Sequence, residues 1–254
     1  MTHLKALMLS CALALGALTA QSGAALADVN NIVLVHGANV DGSTWRDVYN
    51  RLTAQDYKVT IVQMPLTSTE DDIAAVQRIV DSQDGPMLLV GHSYGGMVIS
   101  EVGGDPNVKG LVYVAAFQPD AGESGGALLA SVPTEFTPDK LTVFDDGHYL
   151  VNEDAFVSVV GNGLSSEDAI YVARSQAASN TAILDYQARV AAWNEKPSWS
   201  AIATLDRTIA PDLQRQMSER AGSTIVDIEN GHMLPMTSPD EVADLIRQAA
   251  KAVE

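Results

Sequence analysis

The stretch that most restricts the fold is "LLVGHSYGG", residues 88–96. An apolar run passes without a spacer into Gly91-His92-Ser93-Tyr94-Gly95, and the small-residue helical pattern "YGGMVISEVGG" begins at once. A strand-to-helix reversal this tight strains the backbone at its central residue, and the glycines two places either side of Ser93 keep Cβ atoms away from its neighbours. The reversal also sets Ser93 at a helix N-terminus, where the helix dipole and free N–H groups favour a developing negative charge.

The rest of the chain keeps the same rhythm of short apolar runs and amphipathic stretches, the pattern of a mostly parallel sheet flanked by helices. Strands are predicted over 31–37, 58–65, 86–91, 108–117, 198–204 and 223–229, and helices over 41–55, 68–85, 94–104, about 211–221 and 238–252. Asp41 or Ser43 can cap the first helix and Ser68 or Thr69 the second. Glu70, Asp71 and Asp72 fill the first turn of the second helix, where acidic charge suits the dipole, and Ile73, Val76 and Val80 share one face. Between Gln118 and Pro197 the rhythm fails, and glycines, prolines and scattered aromatics take over. This segment, about 118–197, is read as a mainly helical cap lying over the edge where the strands end. Phe136, Phe144, Tyr149, Phe156, Tyr171, Tyr186 and Trp193 are its candidate pocket aromatics, whereas Trp45 and Trp199 are expected in the core.

A serine hydroxyl needs a base. His3 falls in the leader, His36 and His92 stand beside strand ends, and His148 lies in the insertion. His232, in "ENGHMLP", follows the last predicted strand and so opens at the same sheet edge as Ser93. Asp206 in "IATLDRT" follows the preceding strand and is the preferred acid, with Asp120 in "AAFQPDAGE" as its competitor. Either could orient an imidazole and stabilise its charged form. Two backbone N–H groups complete the set: Tyr94, after the serine, and Ala38 in the "HGAN" loop that ends the first strand.

Residues 1–27 combine Lys5, an apolar segment from about 6 to 18 and the small-residue site Ala25-Leu26-Ala27. That reads as a cleavable export signal, leaving a single domain over 28–254 and a periplasmic or extracellular location. The apolar segment falls short of the roughly 18–20 residues that span a bilayer, so no stable membrane association is expected after cleavage. Cys11, the single cysteine, leaves with the signal, so no disulfide or thiolate metal site is expected in the mature chain. A net charge of −17 disfavours nucleic acid and anionic membranes. No histidine pairing suggests a metal, and "GHSYGG" lacks the spacing of a dinucleotide loop, so no cofactor is expected.

Taken together, "VLVHGANVDGSTW", "LLVGHSYGG", "TLDRT" and "GHMLPMTSPDEVADLI" resemble the α/β-hydrolase superfamily over nearly all of residues 31–250 except the insertion. Within it the chain looks most like the compact small-molecule carboxylesterases, the plant methyl-ester hydrolases and their hydroxynitrile-lyase relatives. The resemblance implies a sheet of about six strands and serine-dependent cleavage of small to medium carboxylic esters through an acyl-enzyme. Lyases of that branch carry threonine and lysine where this chain has Gly37 and Met233, an esterase-like pair. Two alternatives stay open: a slow-turnover ligand-binding protein on the same fold, and lyase or C–C hydrolase chemistry.

Overall fold

Strands buried on both faces of a parallel sheet are apolar at nearly every position instead of alternating, and the runs at 31–35, 87–92 and 108–114 behave that way, whereas those at 58–61 and 224–228 are only partly buried. The computed structural model describes residues 29–253; the expected export signal lies outside them. The strands are β1 (Asn31–Val35), β2 (Lys58–Ile61), β3 (Met87–His92), β4 (Val108–Val114), β5 (Leu141–Val143), β6 (His148–Val151), β7 (Ser179–Asn180), β8 (Ser198–Ala203) and β9 (Thr224–Ile228). Six of them form one sheet in the order β2-β1-β3-β4-β8-β9. Every neighbouring pair in it is parallel.

The helices are α1 (Arg46–Thr53), α2 (Thr69–Asp81), α3 (Gly95–Val102), α4 (Gly125–Ser131), α5 (Glu153–Ala155), α6 (Ser166–Arg174), α7 (Ala182–Asp185), α8 (Pro211–Arg220), α9 (Leu234–Thr237) and α10 (Pro239–Ala252). Side chains alternate across the sheet. Val33, Val35, Leu89 and Leu111 pack with Val76 and Val80 of α2 and Met97 and Val98 of α3. Ile32, Leu34, Leu88 and Val90 face the other way, onto Trp45, Val48 and Leu52 and onto α10. Val242, Leu245 and Ile246 of α10 are fully or almost fully buried there. At about 1.5–3 kcal/mol per large aliphatic side chain, these three contribute roughly 5–9 kcal/mol before the cost of ordering the chain.

The capping expectations resolve to Asp41, which accepts the Ser43 N–H at 2.7 Å in a short 3-10 turn ahead of α1, and to Ser68, which accepts the Asp71 N–H at 3.1 Å. Glu70 and Asp71 stay exposed in the first turn of α2. Asp72, the third acidic residue of that turn, instead turns inward and is fully buried.

The insertion between β4 and β8 is mainly helical, as expected, and also contains a small antiparallel sheet, β5-β6-β7. Its strands of two to four residues are too short to leave a period in the sequence. Val151, Phe156, Val160 and Val172 give it a core of its own, closed by Val40 and Met233 from the loops beneath. Those loops matter because of the strand order: the chain leaves β1 for β2 on one side and returns to β3 on the other. The crevice between the C-terminal ends of β1 and β3 is therefore the topological switch point, where open α/β sheets bind ligands.

Candidate active site

Ser93 occupies that crevice with φ of 54°, a left-handed conformation unusual for a residue other than glycine. Its strain is held by the surrounding ladder: the Ser93 N–H donates to Val114 O at 3.2 Å, and its carbonyl accepts from Gly96 at 3.0 Å and Phe117 at 3.1 Å. A Cβ on Gly91 would approach Gly95 O to 2.6 Å, which explains the glycine two places before the serine. One on Gly37 would come within 2.8 Å of Ser93 Cβ, so only glycine lets the loop after β1 close over the elbow without a shift.

His232 lies on the loop between β9 and α9 and places Nε2 2.8 Å from Ser93 Oγ. Its Nδ1 stands 2.7 Å from Asp206 Oδ2. Asp206, on the loop after β8, is buried and also accepts N–H groups from Thr208 at 2.7 Å, Ile209 at 3.0 Å and the Gln214 amide at 2.7 Å. The expected order of serine, imidazole and carboxylate is thus brought together. Asp120, the competing acid, spends its carboxylate on the neighbouring Ala121 N–H instead. Ala38 and Tyr94 line the same cavity as Ser93 and His232. Tyr94 is the N-cap of α3, so its N–H precedes the helical ladder and has no intrahelical acceptor.

The two other histidines at strand ends turn out to be braces. Burial lowers the pKa of His36, and the neutral ring fits its bonds: Nδ1–H donates to Gly37 O at 2.8 Å and Nε2 accepts the Met64 N–H at 3.0 Å. His92, whose pKa burial drives well down, donates from Nε2 to the carbonyl of His232 at 3.0 Å and so holds the base loop. The cap supplies further braces. Ser179 Oγ accepts the Asn39 N–H at 2.9 Å, next to Ala38. Asn162 donates to Leu205 O at 2.7 Å and accepts the His232 N–H at 3.4 Å, bridging the acid and base loops.

The cavity above Ser93 has an empty volume of about 460 Å³ counting its mouth. Phe136, Tyr149 and Phe156 line it, together with Phe117, Leu129, Val151 and Ile209, which the sequence reading did not name. Of the other expected aromatics, Phe144 and Tyr171 are exposed and Trp193 is buried in the core, donating to Pro119 O at 2.7 Å. Tyr186 packs beneath Arg189. Among the described residues that line it, His232 and two tyrosines are the titratable groups, and most of the others are apolar.

The Alpha/beta hydrolase family model matches residues 32–245. Among curated proteins, an alpha/beta hydrolase of Aspergillus novofumigatus is 27% identical over 88% of this chain and 98% of its own. Methylesterase 8 of Arabidopsis thaliana is 23% identical over 81% of this chain and 84% of its own. Among solved structures, a pyrethroid hydrolase from Sphingobium faniae JZ-2 superposes with a TM-score of 0.74 at 22% identity, covering 88% of this chain and 98% of that one.

Proposed function

This chain belongs to the alpha/beta hydrolase family, and on that premise we propose that it is a serine carboxylesterase that cleaves neutral esters of small to medium size through an acyl-enzyme. The observation that carries the reading is the relay of Ser93 Oγ, His232 Nε2 and Nδ1, and Asp206 Oδ2 at 2.8 and 2.7 Å, set beneath an apolar cavity. Relatives named as a methylesterase and a pyrethroid hydrolase support the ester-cleaving class.

Ser93 Oγ attacks the ester carbonyl carbon as its proton passes to His232 Nε2. The carbonyl oxygen becomes an oxyanion held by the Ala38 and Tyr94 N–H groups. Asp206 keeps the Nδ1–H tautomer and stabilises the imidazolium without itself taking the proton. The intermediate collapses, the C–O bond to the alcohol breaks, and the alcohol leaves with the proton from His232. Water, deprotonated by His232, then attacks the acyl carbon and releases the acid, returning the proton to Ser93. None of these steps calls on a metal or cofactor. The export signal read in residues 1–27 belongs to the same proposal and puts the enzyme outside the cytoplasm, where ester scavenging or detoxification is the fitting role; the N-terminus of the exported protein, found at Asp28, would support it.

Lyase chemistry would need a positive charge near the leaving group. Met233, at the position in question, is fully buried against Val40 and Phe156 and supplies none. A fluorophosphonate probe tests the nucleophile directly. Phosphonylation of the Ser93 peptide in the wild type, slowed in His232→Ala and absent in Ser93→Ala, is the expected result. A folded wild type that takes up no probe would refute it.

A further inference from the structure

Behind the elbow, α2 directs one buried carboxylate at the residue that follows the nucleophile. Asp72 is fully buried. Its Oδ1 accepts the Leu66 N–H at 2.8 Å, and its Oδ2 lies 2.9 Å from Tyr94 Oη. The Tyr94 phenol is 3.0 Å from Thr69 Oγ1 as well. Its one proton goes to the carboxylate, the stronger acceptor, which leaves the Thr69 hydroxyl to donate back. The charge acting on Asp72 is that of Asp71, of the same sign, and burial pushes the Asp72 carboxyl up to about 6.

A buried carboxylate without a cation is costly, and an apolar replacement of similar volume is often neutral or stabilising. Helix capping does not account for it, because Ser68 already caps α2. What Asp72 holds is more telling. On one side is Tyr94, the N-cap of α3 and one of the two proposed oxyanion donors. On the other is Leu66, at φ of 58° one of five described non-glycine residues held at positive φ, whose carbonyl accepts the Asn180 N–H of β7 at 2.8 Å. The neighbouring Ser179 accepts the N–H of Asn39, the residue after Ala38. One chain of bonds therefore runs from Tyr94 through Asp72, Leu66 and β7 to the loop of the second oxyanion donor.

We infer that Asp72 is a positioning residue for the oxyanion hole, fixing the Tyr94 and Ala38 N–H groups relative to each other through the Tyr94 phenol and the Leu66 turn. The inference rests on the serine-esterase reading. Because it concerns the transition state, its loss lowers kcat and leaves substrate binding alone.

The test compares full-length wild type, Asp72→Asn, Tyr94→Phe and the double variant. Each is assayed for p-nitrophenyl acetate hydrolysis and for inhibition by a trifluoromethyl ketone, which adds to the serine and presents an oxyanion. Each single variant is expected to lose about tenfold in kcat with KM within about twofold, smaller than the loss of a whole donor because both N–H groups remain. The inhibition constant should rise by the factor that kcat/KM falls, and the double variant should be no worse than the weaker single, since both remove one bond. Tyr94→Phe keeps the carboxylate and guards against misfolding of Asp72→Asn. Full kcat and unchanged inhibition in folded Tyr94→Phe and Asp72→Asn would overturn the inference alone, as would a loss confined to KM. A wild type inert on esters and towards the probe of Ser93 would overturn the esterase reading and this inference with it.

Discussion

Asp206 and Asp72 are both buried acids bonded to residues of the reaction centre, and the protein treats them differently. Asp206 accepts from two backbone N–H groups, an amide and an imidazole, so its charge is spread over four donors. Asp72 accepts from one backbone N–H and one phenol, beside a like charge. Hydrogen bonds to the charged form favour it, and burial without enough of them favours the neutral form. The comparison separates a carboxylate met by four donors, one of them the imidazole it orients, from one met by two and pushed up by burial to about 6, which orients a neighbour from behind the elbow.

Replacing each carboxylate by its amide exposes that difference most strongly. Asp206→Asn should lower kcat about 10³- to 10⁴-fold, because the amide no longer enforces the Nδ1–H tautomer or stabilises the imidazolium. If Asp72→Asn cost as much in the same assay, the two acids would not be distinct in role.

Stability against pH gives the next largest effect. The folded value of about 6 for Asp72 stands above the ordinary 3.8, so the folded state binds this proton more tightly than the unfolded chain. The group destabilises the fold above pH 6, and that penalty is relieved as pH falls from about 6 towards 4. A shift of this size corresponds to roughly 3 kcal/mol. Denaturant unfolding of wild type and Asp72→Asn at pH 7.5 and 4.5 should show the wild type gaining about 2 kcal/mol relative to the variant on acidification, part of the full shift because pH 4.5 still lies above the ordinary 3.8. A constant difference would mean that Asp72 does not titrate in the fold as described.

Gln214→Leu sharpens the comparison from the Asp206 side. The amide donates to Asp206 and Ile209 O and accepts the Ala203 N–H at 3.1 Å, so leucine strips three buried bonds. About 2–3 kcal/mol of stability should be lost in urea unfolding, with kcat falling less than tenfold because three donors to Asp206 remain. The smallest effect is expected at Asn162→Ala, near 1 kcal/mol with a few-fold loss of kcat, because its bond to His232 is long at 3.4 Å. A larger loss would make the cap a partner in holding the base, equal to His92.

The sheet, the elbow, the base and the preferred acid were legible because each depends on local signals: apolar runs, a glycine-framed serine and loops that must open at one edge. Asp72 was read only as a first-turn acid and Gln214 was not singled out, although each left a signal. Asp72 stands one turn before Val76 on the apolar stripe of α2, and Gln214 sits among Leu213 and Met217 on α8, all of them buried. A polar residue inside an apolar stripe is a signal of a buried role, but its partner comes from a distant segment and cannot be read locally. The cap was least legible. Its strands are very short, and its braces Asn162 and Ser179 are ordinary polar residues until the fold brings them to His232 and Asn39.

The proposed esterase activity depends first on Ser93 as the nucleophile. Initial rates on p-nitrophenyl esters from acetate to decanoate, for wild type and Ser93→Ala, test it most directly. Wild-type turnover favouring short and medium chains and a loss of at least about 10³-fold in the variant are expected. Equal rates in the two proteins, or none in either on every ester, would contradict it.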